Sequence, residues 1–295
     1  MYTVIRVATR NSPLALCQAN LVKSQLLEYY PDAVIELVPM TTLGDRFLAT
    51  SLSKIGGKGL FVKELERGLL QYTVDIAVHS MKDVPMQLAP GLEIVAVLPR
   101  GSVEDVLVSP CFHSLEAMPQ YARIGTSSVR RKAILERYYP QLQRVDVRGN
   151  VQKRLDKCAE QTVDGLILAA AGLERLHLSH QITQRLAVED WLPAPGQGAI
   201  GIEIRSSDAV LKQWLQAINH TATWDAVLAE RTVSRTLQGG CGVPLAAYAI
   251  ADQSDLWLRA WLIEEASGSY AYAEMCAPRA DAVRLGAAVA QKLCA

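Results

Sequence analysis

Short apolar runs of strand length alternate with stretches whose apolar residues fall at helical spacing, and they do so from the start of the chain. VIRVAT (residues 4–9) reads as a strand. PLALCQANLVKSQLLEYY follows with helical spacing, Ser12 as its N-cap and Pro13 in the first helical position. AVIELVPM predicts a second strand, GLFVKELERGLLQ a second helix, and DIAVHS a third, buried strand. This βαβαβ order predicts a mainly parallel sheet covered by helices.

The order then recurs. YARIGTSSVRRKAILERYYP repeats the sequence of events in RVATRNSPLALCQANLVKSQLLEYYP: strand, threonine, serine, helix, Tyr-Tyr-Pro. QTVDGLILAA echoes QYTVDIAVHS. The pattern predicts two similar α/β lobes, the first over residues 1–98 and the second over 99–198. GAIGIEIRSSDAVLKQWLQAI is a further strand and helix, expected to cross back, so 199–217 is assigned to the first lobe. PAPGQG before it reads as a hinge between the lobes. From 218 the grammar changes. A helix (TWDAVLAERTVSRTLQ), three consecutive strands (LAAYAIA, LWLRAWLIE, SYAYAEMC) and a closing helix predict a small α+β C-terminal domain over 218–295.

Composition narrows the function. Lys plus Arg and Asp plus Glu number 30 each in 295 residues, so a general polyanion binder is not expected. No signal peptide and no apolar run near the ~20 residues of a membrane span are found, which points to a cytoplasmic protein without a membrane partner. The six cysteines, at 17, 111, 158, 241, 276 and 294, include no C-x-x-C pair. Neither a disulfide framework nor structural zinc is expected. His177 and His180 in HLSH lack a third ligand at suitable spacing, and no metal is expected.

Four stretches carry candidate chemistry. DIAVHSMKDVP ends a buried strand and places Lys82 and Asp83 just beyond it, where ligands of open α/β sheets bind. Pro85 keeps Val84 out of helical geometry. Asp83 is either a catalytic carboxylate or half of a solvated pair with Lys82. IGTSSVRRK opens a helix with Thr126, Ser127 and Ser128, whose hydroxyls and free N–H groups suit an anion. Arg130 and Arg131 stand in its first turn against the helix dipole, a cost that a bound anion would offset. VRGNVQKRL repeats the theme with Arg148, Asn150 as N-cap and Arg154. Ten Lys or Arg against three Asp or Glu lie between 120 and 157, a local basic site in a neutral chain. Arginine points to bidentate carboxylate or phosphate partners. Nucleic acid is disfavoured, because stacking aromatics other than Tyr138 and Tyr139 do not interleave with the arginines. SKIGGKGLFVKELE fails the phosphate-loop pattern, since Gly59 follows Lys58, and reads as a mobile basic loop or a merely solvated one. LQGGCGVPLAAYA sets Cys241 among glycines, either an incidental small residue in a turn or a thiol that a large group can approach.

Together these stretches predict a cleft lined by arginines and one aspartate, suited to a substrate with several carboxylates. A non-catalytic binder of small acids would explain the arginines but has no need of Cys241.

RVATRNSPLAL, GDRFLATSLSKIGGKGLFVKELE, DIAVHSMKDVP, IGTSSVRR, RGNVQKRL, PAPGQGAIGIE and LQGGCGVPLAAYA together resemble the porphobilinogen deaminase (hydroxymethylbilane synthase) family over almost the whole length. The resemblance implies a transferase that joins four porphobilinogen molecules head to tail with loss of ammonia, then releases hydroxymethylbilane by hydrolysis. It implies a monomer with two periplasmic-binding-protein-like lobes and a third domain. It also implies a dipyrromethane cofactor tied by a thioether to Cys241. Asp83, with Lys82, matches the catalytic position. Arg10, Ser12, Arg130, Arg131, Arg148, Arg154 and Arg175 match the carboxylate-binding set, and Lys54, Lys58, Phe61, Ser80, Thr126, Ser127, Ser128 and Gln197 complete the cofactor and substrate residues. One segment departs: PRGSVEDVLVS stands where many members carry R-E-D-P-R-D-A.

Overall fold

The computed structural model describes residues 4–46, 59, 61–237, 243–263 and 269–294. Lys54, Lys58 and Cys241 lie outside them. The first stretch forms β1 (Ile5–Arg10), α1 (Pro13–Tyr29), β2 (Ile35–Met40), α2 (Leu43–Arg46), α3 (Lys63–Leu70), β3 (Ile76–Ser80) and β4 (Leu92–Val97). The second forms β5 (Asp105–Val108), β6 (Arg123–Gly125), α4 (Val129–Tyr138), β7 (Gln143–Val145), α5 (Val151–Ala159), β8 (Gly165–Ala169), α6 (Ala170–Arg175) and β9 (Gln184–Arg185). The third forms β10 (Ile200–Arg205), α7 (Ala209–Gln216), α8 (Thr221–Thr236), β11 (Leu245–Asp252), β12 (Asp255–Ile263), β13 (Tyr270–Pro278) and α9 (Ala282–Leu293).

The chain divides into two compact units: residues 1–100 with 199–224, and residues 101–198 with 225–295. The first unit holds one five-stranded sheet, in the order β2-β1-β3-β10-β4. Its inner strands β3 and β10 are buried on both faces, which suits the apolar runs IAVHS and IGIEIR. Period-two alternation splits their side chains. Val7, Ile76, Val78 and Ile202 pack with Val22 and Leu26 of α1 and Leu211 of α7, while Ala8 and Ala77 pack with Leu65 and Leu69 of α3.

The second unit repeats this plan in a sheet ordered β7-β6-β8-β5-β9. The senses match position by position. β1 is parallel to β2 and β3, as β6 is to β7 and β8. β10 is antiparallel to β3 and β4, as β5 is to β8 and β9. The expectation of a mainly parallel sheet is thereby corrected: half of the pairings in each sheet are antiparallel. In each sheet the fourth strand enters from a connection outside the βαβ run, so it is free to run the other way.

The C-terminal domain, in the same second unit, is an antiparallel β11-β12-β13 sheet. Leu258 and Ala260 pack with Leu285 and Val289 of α9 and Ala229 and Val233 of α8. Trp261 and Ala246, on its opposite face, join the lobe core around Ile124, Ile134 and Leu107. Glu230 of α8 is fully buried and accepts the Ala249 N–H at 2.8 Å and the Gly196 N–H at 2.7 Å. The carboxylate thus ties the PAPGQG segment to the C-terminal sheet. Residues 196–198 of that segment, expected to act as a hinge, are buried and hydrogen-bonded within their own unit.

Gly198 has φ +85, and a Cβ there would stand 2.5 Å from Gly101 O and 2.9 Å from Ser102 O. Both obstacles are backbone and cannot swing aside. Gly198→Ala is expected to lower stability by at least about 2 kcal/mol, combining overpacking with a left-handed conformation, which equilibrium denaturation in guanidinium would measure.

Candidate active site

In the first unit the site is built where two neighbouring parallel strands end. β1 stops at Arg10, and Ser12 caps α1 by accepting the Ala15 N–H at 3.3 Å. β3 stops at Ser80 and passes into a single 3-10 turn, Met81–Asp83, which extended Val84 and Pro85 terminate. Because β1 and β3 are hydrogen-bonded neighbours, their carboxyl ends share one edge, and Arg10, Ser12, Ser80 and Asp83 line one cavity there. Gln18 of α1 donates to Ser80 Oγ at 2.8 Å, joining the helix to the strand end. The Arg10 guanidinium lies 4.2 Å from the centre of the Phe61 ring, a cation–π contact that keeps a charged group at the cavity wall. Lys82 is half-buried beside Asp83.

The second unit places its polar groups at the corresponding edge. Thr126, Ser127 and Ser128 follow β6. Thr126 Oγ1 accepts the Ser128 N–H at 3.3 Å, and Ser128 Oγ caps α4 by accepting the Arg131 N–H at 3.4 Å. Both hydroxyls spend an acceptor on the turn and keep a proton to donate. Asn150 caps α5 in the same way, accepting the Lys153 N–H at 2.9 Å. Arg154 Nε donates to Gly149 O at 2.8 Å, and Arg175 Nη2 to Gly198 O at 2.6 Å. Arg148 is half-buried and makes no side-chain hydrogen bond or ion pair among the described residues.

Arg130 and Arg131 are only 3% and 6% exposed, and both close on Asp105, which is fully buried. Arg130 Nη2 is 2.5 Å from Asp105 Oδ2, and Arg131 Nη2 is 2.6 Å from Oδ1. Their second amino groups donate to Leu192 O at 2.7 Å and Ile167 O at 2.8 Å. Trp191 Nε1 (2.8 Å) and Gln197 Nε2 (2.9 Å) complete the ring of donors around Asp105. Register explains the meeting. β5 runs antiparallel to β8, with Asp105 opposite Ala169, so β5 begins at the edge where the parallel strands end. The anion expected to offset the two arginines is therefore, in the first instance, internal.

Burial by itself would raise the Asp105 carboxyl. The two guanidiniums and their hydrogen bonds outweigh it and hold the group well below the usual carboxylate range. Burial pushes the Arg130 guanidinium down against the pull of Asp105. Two cations on one anion leave a net positive charge out of water, and the Nε–H of each arginine is buried without a partner. That residual charge and those two unmet donors fit a ligand bearing carboxylates, as does half-buried Arg148. On these grounds the residues present fit a dipyrromethane with acidic side chains.

Sequence reading missed three participants. Asp105 lies in VEDVLVS, visible there only as an acid opening an apolar run. Trp191 carried no local signal at all. Nor did the buried pair of His79 Nε2 and Glu203 Oε2, 2.8 Å apart below the first cavity. Among the described residues no cluster of three or more His, Cys, Asp or Glu could hold a metal ion.

Asp105→Asn is expected to cost about 3–5 kcal/mol of stability at neutral pH, because it leaves two buried guanidiniums uncompensated. A depressed carboxyl contributes stability above its unfolded-state value and loses it as pH falls through its folded-state value. The gap between wild type and variant in urea melts should therefore be the same at pH 7 and pH 5, and shrink only below about pH 4.

Among solved structures, the periplasmic VFT2 domain of BvgS from Bordetella pertussis is 17% identical, with a TM-score of 0.44 over 73% of this chain and 86% of that one. A nutrient-binding protein from Burkholderia cenocepacia bound to methionine is 12% identical, TM-score 0.46, over 72% and 90%. The aliphatic sulphonate-binding protein SsuA of Escherichia coli is 12% identical, TM-score 0.43, over 81% and 71%. Residues 5–213 match the family model of the porphobilinogen deaminase dipyromethane cofactor binding domain, and residues 224–295 match that of the porphobilinogen deaminase C-terminal domain. Together the two matches span nearly the whole chain: it belongs to the porphobilinogen deaminase family, enzymes that polymerise porphobilinogen on a dipyrromethane cofactor in tetrapyrrole biosynthesis.

Proposed function

We propose that Asp83 is the catalytic carboxylate of this transferase and that Cys241 holds its dipyrromethane through a thioether. The observation that carries the reading is the convergence of Arg10, Ser12, Ser80 and Asp83 on one cavity at the ends of β1 and β3. When bound, dipyrromethane supplies the pyrrole carbon on which the chain grows. The residues of this chain do the rest. Loss of ammonia from porphobilinogen leaves positive charge on its pyrrole ring, and the Asp83 carboxylate beside the ring N–H stabilises that charge and orients the ring. Lys82 tunes the field at Asp83. Arg10 and Ser12 hold acetate or propionate groups of the substrate, and Phe61 keeps the Arg10 guanidinium in place.

In the second unit we assign the cofactor's carboxylates to Ser127, Ser128, Arg148, Arg154 and Arg175, together with the unmet Nε–H groups of Arg130 and Arg131. Thr126 and Gln197 act one step back, Thr126 by shaping the turn and Gln197 by holding Asp105. Lys54 and Lys58 add positive charge near the substrate. Residues 1–98 with 199–217 supply the chemistry, 99–198 the carboxylate site and 218–295 the covalent anchor. The enzyme works as a cytoplasmic monomer. Among the described residues no helix is long and apolar enough to cross a membrane.

Asp83→Asn is expected to reduce ammonia release from porphobilinogen at least ~100-fold with an unchanged melting temperature, and a near-wild-type rate would remove Asp83 from the mechanism. The denatured intact mass of the purified protein should exceed the sequence mass by two linked pyrrole units, mapped to the Cys241 peptide. Cys241→Ala should show the bare mass, and an adduct persisting in that variant would place the anchor elsewhere.

A further inference from the structure

Two polar pairs root the segment that carries Asp83. His79 and Ser80 are successive residues at the end of β3, so their side chains leave opposite faces of the sheet. On the α1 face, Gln18 and Ser80 are hydrogen-bonded at 2.8 Å. On the α3 face, His79 Nε2 meets Glu203 Oε2 at 2.8 Å, with the two side chains 4% and 0% exposed. The register makes this pair possible. Gly201 lies opposite His79 and Glu203 opposite Ala77, so Glu203 is the diagonal neighbour of His79 on the same face. Gly201 has no side chain where one would run into Met81 Sδ, and Met81 opens the turn that ends in Asp83.

The pair is electrically loaded. Glu203 Oε1 is buried and has no hydrogen-bond partner. Glu66, from α3, faces the same pair. Burial first, and then the charge of Glu203, raise its carboxyl, against the hydrogen bond it accepts from the Ala89 N–H at 3.2 Å. Arg10 from β1 and Asp83 from the turn line the cavity that His79 also borders, with Lys82 next to Asp83. A fully buried carboxylate is tolerable only when paired, and His79 is the group hydrogen-bonded to it.

We infer that His79 and Glu203 are positioning residues for the deamination: their buried pair pins the end of β3 to β10 and holds Asp83 at its working position. The inference rests on the reading of Asp83 as the catalytic carboxylate. It predicts that His79 and Glu203 act on turnover rather than on substrate affinity.

The test is steady-state kinetics of the cofactor-loaded enzyme with porphobilinogen. The variants are His79→Leu, His79→Gln and Glu203→Gln, with melting temperature and intact mass recorded for each. His79→Leu and Glu203→Gln should lower kcat at least tenfold with KM within twofold. His79→Gln, which can still donate to Glu203, should recover most of kcat. If His79→Leu fails to fold, the other two variants decide. A Glu203→Gln enzyme with kcat within twofold of wild type, a change in KM alone, or a His79→Gln enzyme no faster than His79→Leu would each overturn the inference. Asp83→Asn separates the two readings. A wild-type rate there sinks the role of Asp83 itself, whereas an inactive Asp83→Asn beside an unimpaired Glu203→Gln sinks only the positioning role.

Discussion

One buried carboxylate, Asp105, organises the second lobe's polar edge. It heads β5 and is ringed by Arg130, Arg131, Trp191 and Gln197, all of them buried with it. Charges removed from water must be paired or they shift to neutrality. Asp105 meets that demand for two arginines that would otherwise oppose the dipole of α4. The pairing is incomplete by one unit of charge, and that surplus makes the edge receptive to an acid. Under the proposed assignment the structural and functional roles of Arg130 and Arg131 are not alternatives: the ion pair that folds the lobe also leaves two Nε–H donors for the cofactor's carboxylates.

A topological constraint places both edges. In each lobe two parallel strands flank a third, and a returning strand runs antiparallel beside them. A parallel strand ends at the edge where an antiparallel neighbour begins. This brings Asp105 to the end of β6 and β8 in the second lobe. In the first lobe the same rule sets β10 against β3, so that Gly201 and Glu203 meet the residues just before Asp83. The two sheets share a plan yet use the crossing strand differently, with an aspartate for arginines in one and a glutamate for a histidine in the other.

Much of this was legible along the chain. The caps at Ser12, Ser128 and Asn150 stand where a serine or asparagine precedes helical spacing, because capping is settled within four residues. The strand and helix after PAPGQG were legible from their spacing, and β10 lies between β3 and β4 in the first sheet. The parallel sheet was overread, since strand sense depends on where a connection re-enters and periodicity does not record that. The boundary between the two units falls at Gly198 and Ala199, at the end of the PAPGQG segment read as a hinge. Proline and glycine report an irregular backbone, but Glu230, Gln197 and Arg175 decide whether that backbone is held.

By itself, the sequence determined the elements, their caps, the repeated lobe plan, the local excess of arginine and the long motifs that mark the family. Each of these is written in neighbours along the chain. Only the tertiary structure decided which acid neutralises which arginine, that Arg148 is left without a protein partner among the described residues, and that His79 is tied to Glu203. Those facts depend on burial and on strand register between residues far apart in sequence, and the electrostatic weight of a charge is set by the water it has lost.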